Sequence, residues 1–169
     1  MALTKVEMPG DKEIQNCQNI IKELKSYQSK NWGIGLNGST FQPDGFLTFF
    51  TQRNLPFSYY VVNKGVTIGS SKAYDANIQT LETYMAGIRK SETDAGNAII
   101  KSLKSYQSNF WAIGLNGDTL QPDGFNTNFA ERQLPFKPFV RSTSGVSIGE
   151  QSAYDENIST MQNYIKALG

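Results

Sequence analysis

The stretch that decides the fold runs from residue 31 to residue 46 and reads Asn31-Trp32-Gly33-Ile34-Gly35-Leu36-Asn37-Gly38-Ser39-Thr40-Phe41-Gln42-Pro43-Asp44-Gly45-Phe46. It returns almost unchanged 79 residues later as Phe110-Trp111-Ala112-Ile113-Gly114-Leu115-Asn116-Gly117-Asp118-Thr119-Leu120-Gln121-Pro122-Asp123-Gly124-Phe125. The same offset carries residues 25–29 onto residues 104–108. A repeat of about 80 residues indicates an internal duplication.

The composition is typical of a compact β-containing protein with a polar, neutral surface. The chain has 169 residues, of which 38% are apolar and 18% charged. A chain of this length buries a core without help from metals or disulfides. The formal net charge is +1, and the basic residues are scattered among acidic ones. Because no basic stripe is present to neutralise phosphates, nucleic acid is not an expected partner.

Several kinds of catalytic and cofactor site are excluded by residue content. The chain has no histidine, so it cannot build Ser-His or Cys-His nucleophile pairs or imidazole metal sites. The single Cys17 has no second thiol to pair with and is expected to be a small buried hydrophobe rather than a reactive thiol. The repeated glycines precede a turn instead of a helix start, so no phosphate loop is predicted. We predict no cofactor and no metal site.

The first residues lack the apolar run of a secretory signal. No later stretch approaches the roughly 18 to 20 apolar residues that a membrane span requires. We therefore expect a cytoplasmic protein without a transmembrane segment, with a mature secreted chain as the alternative.

The first helix is predicted over residues 12–29, after an N-terminal arm of residues 1–11. The carboxylate of Asp11 is suited to the free amides of the helix start. The apolar residues of this segment recur at helical spacing and define one face: Ile14, Cys17, Ile20, Ile21, Leu24 and Tyr27.

A meander of four or five short antiparallel strands is predicted next, because apolar residues alternate between turn signals. The turns are expected at Asn37-Gly38, at Pro43-Asp44-Gly45, where Gly45 takes the left-handed position, and at Lys64-Gly65. The strands are expected at residues 32–36, 46–50, 57–62 and 66–69.

A helical period returns from Ala73, and Ser91-Glu92-Thr93-Asp94 has the form of a capping box that begins a further helix. The predicted organisation is an arm at 1–11, a first repeat at 12–90 and a second repeat at 91–169. The fold class is α+β, a tandem duplication of a helix–antiparallel β-meander–helix unit with pseudo-two-fold symmetry, packed as one fused domain.

The candidate ligand-binding residues are aromatic and polar positions that are identical in both copies: Trp32, Asn37, Thr40, Gln42, Asp44, Arg53, Trp111, Asn116, Thr119, Gln121, Asp123 and Arg132. Each Trp is either a core anchor between helix and sheet or a partly exposed platform on which a ligand ring stacks. The amides and the hydroxyl would then supply oriented donors and acceptors, unless turn formation alone selects them.

Arg53 and Arg132 each lie shortly before a Leu-Pro-Phe segment, and their expected partners are Asp44 and Asp123 or Asp75 and Asp155. Such an arginine either forms a structural ion pair or uses the N–H donors of its guanidinium group to bind a carboxylate or sugar hydroxyls. The aspartates that follow Tyr74 and Tyr154 lie at predicted helix starts, where they suit the helix dipole.

These patterns favour a non-enzymatic binding protein with two equivalent, lectin-like sites for carbohydrate or another neutral polar ligand. Two weak sites on one chain gain affinity for a multivalent surface. The alternative is a protein-interaction module, such as an inhibitor, immunity protein, toxin component or assembly subunit, with an interface on the aromatic segments 46–50 and 57–62. A third hypothesis is a small hydrolase or isomerase that uses Asp44 with Asp75 as acid and base.

Overall fold

The protein belongs to the α+β class and is rich in helix. A computed structural model describes residues 8–34, 45–63, 66–113, 124–141 and 147–169. The helices are α1 (Asp11–Ser29), α2 (Phe46–Gln52), α3 (Ala73–Ser108), α4 (Phe125–Ala130) and α5 (Ala153–Ala167). The strands form two antiparallel pairs, β1 (Tyr60–Asn63) with β2 (Val66–Gly69) and β3 (Val140–Arg141) with β4 (Ser147–Ile148).

The chain divides into two compact units. One unit is Lys12–Ile88, and the other is Arg89–Gly169 together with the described N-terminal residues up to Asp11. The core of the first unit includes fully buried side chains from α1, α2 and α3: Leu24, Phe50, Tyr74 and Leu81. The core of the second unit includes their equivalents from α3, α4 and α5: Leu103, Phe129, Tyr154 and Met161.

Helix α1 has the predicted apolar face, of which Ile14, Cys17, Ile21 and Leu24 are buried. The Asp11 carboxylate accepts a hydrogen bond from the backbone N–H of Met8 at 2.8 Å. It therefore ties the preceding residues to the helix start. Burial raises the pKa of the fully buried Cys17 thiol.

The prediction of a strand at residues 46–50 is wrong, because this segment is helix α2. Phe46 and Phe50 are four residues apart, so both fall on one helical face, and both are buried. Gly45, just before α2, has φ 87°, which confirms the left-handed conformation predicted for it. Gly124 has φ 86° before α4, where Phe125 and Phe129 are buried in the same way.

The predicted meander is smaller in the described part of the chain than four or five strands. The strand predicted at 66–69 is confirmed as β2, whereas the strand predicted at 57–62 begins only at Tyr60. Tyr60 pairs with Gly69 in the hairpin and forms an isolated bridge with Ile34 on its other side. Phe139 and Ile113 form the corresponding bridge beside β3.

The prediction of a helix start at Ser91 is wrong, because Ala73–Ser108 is one helix of 36 residues. Proline is absent from this stretch, and Lys90 Nζ pairs with Asp94 one turn later at 2.8 Å, a spacing that supports continuous helix. Asp94, the residue that would bond back to the Ser91 N–H in a capping box, pairs with Lys90 instead, and the Glu92 carboxylate binds Arg132. The Cα of Gly96 lies so close to α5 that an added Cβ would be 2.8 Å from Ile165 Cδ1.

Candidate functional site

The candidate site in each unit is the turn that follows a long helix and carries a tryptophan. After α1, Asn31 adopts φ 55°, and its N–H donates to Gln28 O at 3.0 Å. The N–H of Trp32 donates to Tyr27 O at 3.0 Å. This pair of bonds is a Schellman motif, in which a left-handed residue ends the helix and the next side chain contacts the last turn. The motif fixes where the Trp32 backbone lies.

The same turn follows α3. Phe110 has φ 54°, and its N–H donates to Gln107 O at 3.1 Å. The N–H of Trp111 donates to Tyr106 O at 3.0 Å. The recurrence of both bonds gives Trp111 the backbone environment of Trp32.

In each unit a tyrosine ring lies between the exposed indole and a buried phenylalanine ring. The ring of Tyr27 lies edge-on to Trp32 at 5.1 Å and to the buried Phe46 at 5.2 Å. Tyr106 makes the equivalent contacts with Trp111 and Phe125, each at 5.1 Å. Edge-to-face pairs of this kind are stabilising and directional, so each tyrosine restricts the orientation of its indole.

Both indoles remain open to solvent. Trp32 is 49% exposed and Trp111 is 55% exposed, and they are the two tryptophans of the chain. Of the two roles considered from the sequence, core anchor or platform, this exposure favours the platform. The side chain of Trp32 also has the Lys30 ammonium 4.5 Å from its ring centre.

The two candidate arginines form ion pairs inside their units. Arg53 binds the Glu13 carboxylate through two nitrogens, and its Nη1 donates to Phe49 O at 2.9 Å. The hydroxyl of Tyr84 donates to the same carboxylate at 3.0 Å. The hydrogen bond from Arg53 is the main reason that the pKa of Glu13 lies below its ordinary value. Burial, followed by the bond to Glu13, raises the pKa of Tyr84.

In the second unit the equivalent group is more deeply buried. Arg132 binds Glu92, and Tyr164 donates to Glu92 at 2.6 Å. Arg132 is 5% exposed, so water hardly reaches it. Burial acts to lower the pKa of Arg132, but the hydrogen bond and charge of Glu92 outweigh it and the pKa is raised. Burial and the bond to Glu92 raise the pKa of Tyr164 as well.

The predicted pairing of the arginines with Asp75 and Asp155 is wrong. Asp75 accepts a hydrogen bond from Gln28 at 2.9 Å, and Asp155 accepts one from Gln107 at 2.9 Å. Both aspartates lie in the first turn of their helices, as predicted, and join that turn to the end of the preceding long helix.

Sequence reasoning missed Glu13 and Glu92, the true partners of the arginines. A signal was present, since these two glutamates lie 79 residues apart like the other repeated polar residues. It missed the role of Asn77 and Asn157 too, both 1% exposed. The Asn77 amide accepts from the N–H of Ser58 and donates to its carbonyl, each at 2.8 Å. These amides hold the extended segment before β1 and its equivalent, which is a structural role.

Several candidate site residues lie outside the described residues: Asn37, Thr40, Gln42, Asp44, Asn116, Thr119, Gln121 and Asp123. The turns predicted at Asn37-Gly38 and Lys64-Gly65 lie outside them as well. The described members of the predicted site therefore comprise two exposed tryptophans and two arginines engaged in ion pairs.

A cavity of about 310 Å³ lies elsewhere, at the start of α5, and is lined by charged side chains that include Lys137, Glu150 and Glu156. No residue of the predicted site lines it, and Lys137 and Glu156 already pair with each other at 2.9 Å. Within the described ranges, no group of three or more Cys, Asp or Glu side chains is placed to hold a metal ion. None of the described helices combines the length and apolar character needed to cross a membrane.

Comparison with known proteins finds no match: no family model, no curated protein and no solved structure is similar to this chain.

Proposed function

We propose that the protein is a non-enzymatic, lectin-like binding protein with one recognition site on the tryptophan of each unit. The observation that carries the proposal is the exposure of Trp32 and Trp111, at 49% and 55%, on turns that are otherwise tightly bonded. An indole held by its backbone and by an edge-on tyrosine offers a flat apolar face without losing much side-chain freedom on binding. The apolar face of a sugar ring fits such a surface.

Repetition of the site is part of the proposal. We interpret the chain as a tandem duplication, and two kinds of contact that recur inside each unit support this interpretation. The first is the row of aromatic rings that runs from each exposed indole to a buried phenylalanine. The second is the Glu-Arg-Tyr group of each unit. Two weak sites on one chain would bind a surface that displays many copies of a sugar more tightly than either site alone.

Charge supports a neutral polar ligand over nucleic acid. The net charge of +1 gives the molecule little long-range attraction for polyanions. The predicted donors and acceptors for hydroxyl groups remain Asn37, Thr40 and Gln42, which follow Trp32 in the sequence, and Asn116, Thr119 and Gln121, which follow Trp111.

The alternative of a protein-interaction module placed its interface on the aromatic segments 46–50 and 57–62. Phe46 and Phe50 are 1% and 0% exposed, so they do not belong to a surface. Phe49, Phe57 and Tyr59 are partly exposed, and Val62 and Ile68 on the hairpin are 43% and 46% exposed, so these residues remain open to such an interface. The burial of Phe46 and Phe50 is the reason for preferring carbohydrate. For the third hypothesis, a hydrolase or isomerase, Asp44 lies outside the described residues and Asp75 is bonded to Gln28.

A glycan array compares the native protein with Trp32→Ala, Trp111→Ala and the double variant. We expect glycan binding in the native protein, a large loss of avidity in each single variant and no binding in the double variant. Far-UV circular dichroism checks that the variants fold. Phe49→Ala, in the same unit as Trp32 but outside the turn, is the control and retains binding.

Two results would contradict the proposal. One is glycan binding that survives in the double variant. The other is a tight protein partner, recovered on immobilised native protein, in the absence of any glycan signal, which would support the interaction module.

A further inference from the structure

The two tryptophan turns differ by one charge. Lys30 is exposed, and its Nζ lies 4.5 Å from the centre of the Trp32 ring. The residue 79 positions later is Asn109. Its side-chain amide donates to Ser105 O at 2.8 Å, back along its own helix. The surface around Trp32 therefore carries an ammonium group, and a neutral amide takes its place beside Trp111.

The position of the Lys30 ammonium determines which charge on a ligand is favoured at the Trp32 indole. A cation over an aromatic face is attracted by the ring quadrupole, so the ammonium is held over the Trp32 ring rather than sampling all of the solvent. The contact with the ring does not use up the three N–H donors of the ammonium. An anionic group on a ligand that contacts Trp32 would therefore meet a positioned positive charge.

The next position differs as well. Asn31 in the first turn is replaced by Phe110 in the second. The backbone φ angles of the two residues are 55° and 54°. Phe110 is 61% exposed and adjoins the exposed Trp111. A bulky side chain at positive φ is disfavoured, whereas Asn accepts this conformation readily. The second turn thus gains an apolar ring where the first has a polar amide and a nearby cation.

We propose that the two sites select different saccharides. The Trp32 site takes a saccharide that bears an anionic group, which Lys30 binds while the sugar ring lies against the part of the indole that the ammonium leaves open. The Trp111 site takes an uncharged saccharide and shows no preference for an anion. This inference rests on the proposed function. It differs from that proposal in giving the two sites different ligand preferences.

The test follows the indole N–H signals of Trp32 and Trp111 in ¹⁵N NMR spectra while matched sugars are added. The probes are methyl glucoside, methyl glucuronide and glucose 6-sulfate, which share a ring and differ in charge. Trp32→Phe and Trp111→Phe assign the two signals. The glucuronide and the sulfate distinguish a carboxylate from a sulfate as the anionic group.

We expect an anionic sugar to bind at Trp32 roughly two- to fivefold more tightly than the glucoside, the range typical of one exposed charge pair. Higher salt should reduce this preference. Lys30→Asn should abolish this preference for the anionic sugar, and Asn109→Lys should create it at Trp111.

Equal binding of neutral and anionic sugars at Trp32 overturns the inference and leaves the proposed function standing. A preference that persists in Lys30→Asn overturns it too. If no sugar shifts either indole signal at millimolar concentration while the glycan array is also silent, both the inference and the proposed function fail.

Discussion

Arg132 and Glu92 lie 40 residues apart in the sequence and form an ion pair whose side chains are 6% and 9% exposed. The equivalent pair, Arg53 with Glu13, is 16% and 27% exposed. The same Arg–Glu ion pair therefore occurs in both units, but the pair of the first unit is more exposed to water. Because the cost of an unpaired charge rises as water is removed, the two pairs should respond differently to the same substitution.

Glu92→Gln should destabilise the second unit by about 3 to 5 kcal/mol, because it leaves the Arg132 charge buried without its partner. Glu13→Gln, the matched control, should cost less, since water reaches the Arg53 pair. Urea unfolding followed by circular dichroism measures both. Equal losses in the two variants would show that burial does not set the strength of these pairs.

Acid should remove the stabilisation that Glu13 supplies. The pKa of Glu13 is lowered in the folded protein, chiefly by its hydrogen bond from Arg53, so its contribution is complete above the ordinary value of 4.5. It is lost as the pH falls below that value, through the folded pKa. The difference in unfolding free energy between the native protein and Glu13→Gln should therefore shrink between pH 6 and about pH 3. A difference that is constant across this range would be evidence against the assigned pair.

Gly69→Ala and Gly149→Ala should both destabilise the hairpins by more than about 1 kcal/mol. These glycines have φ 82° and 85°, and an added Cβ would collide with the carbonyl oxygens of Tyr59 and Pro138. Gly87→Ala is the control, because nothing lies within 4 Å of its added Cβ and it lies inside α3. That change should raise stability by about 0.4 to 1 kcal/mol. Thermal unfolding measures the stability of the three variants. A Gly69→Ala variant as stable as the native protein would contradict the positive φ and the close contact with Tyr59.

Phe110→Asn should stabilise the second unit by roughly 1 kcal/mol, since Asn tolerates the left-handed conformation that Phe110 holds at φ 54°. Asn31→Phe should have the opposite effect in the first unit. Denaturant unfolding gives both values. If Phe110→Asn gains stability but weakens sugar binding at Trp111, the strain at Phe110 serves the site. Loss of stability in Phe110→Asn would instead mean that its ring contributes to packing.

Local patterns predicted helix α1 and the conformation of Gly45 correctly. The apolar spacing from Ile14 to Leu24 identifies a face that is indeed buried, and Gly45 takes the predicted positive φ. The alternation of Phe46, Thr48 and Phe50 predicts a strand over residues 46–50, which is helix in the structure. Positions 46 and 50 also fall on one helical face, and five residues are too few to separate the two periods.

Local sequence patterns did not predict the contacts between residues that are far apart in the sequence. The choice of Glu13 over Asp75 as the partner of Arg53 depends on which segments pack together, and no local spacing encodes it. The capping-box pattern at Ser91 predicts a helix start that does not occur, because Ser91 lies inside the continuous helix α3 and Asp94 pairs with Lys90. For the site, the sequence leaves Trp32 and Trp111 as either buried or open, and it is the packing of the fold that leaves both indoles about half exposed.

The lone sulfhydryl offers a built-in reporter. Cys17 is fully buried in the Lys12–Ile88 unit, and it is the only cysteine in the chain. A thiol reagent can modify it only when that unit opens, because the unreactive, shielded sulfur must first reach solvent as a thiolate. Timed alkylation of the native chain therefore records the opening of one half of the molecule by mass spectrometry, with no engineered label and no signal from the other half.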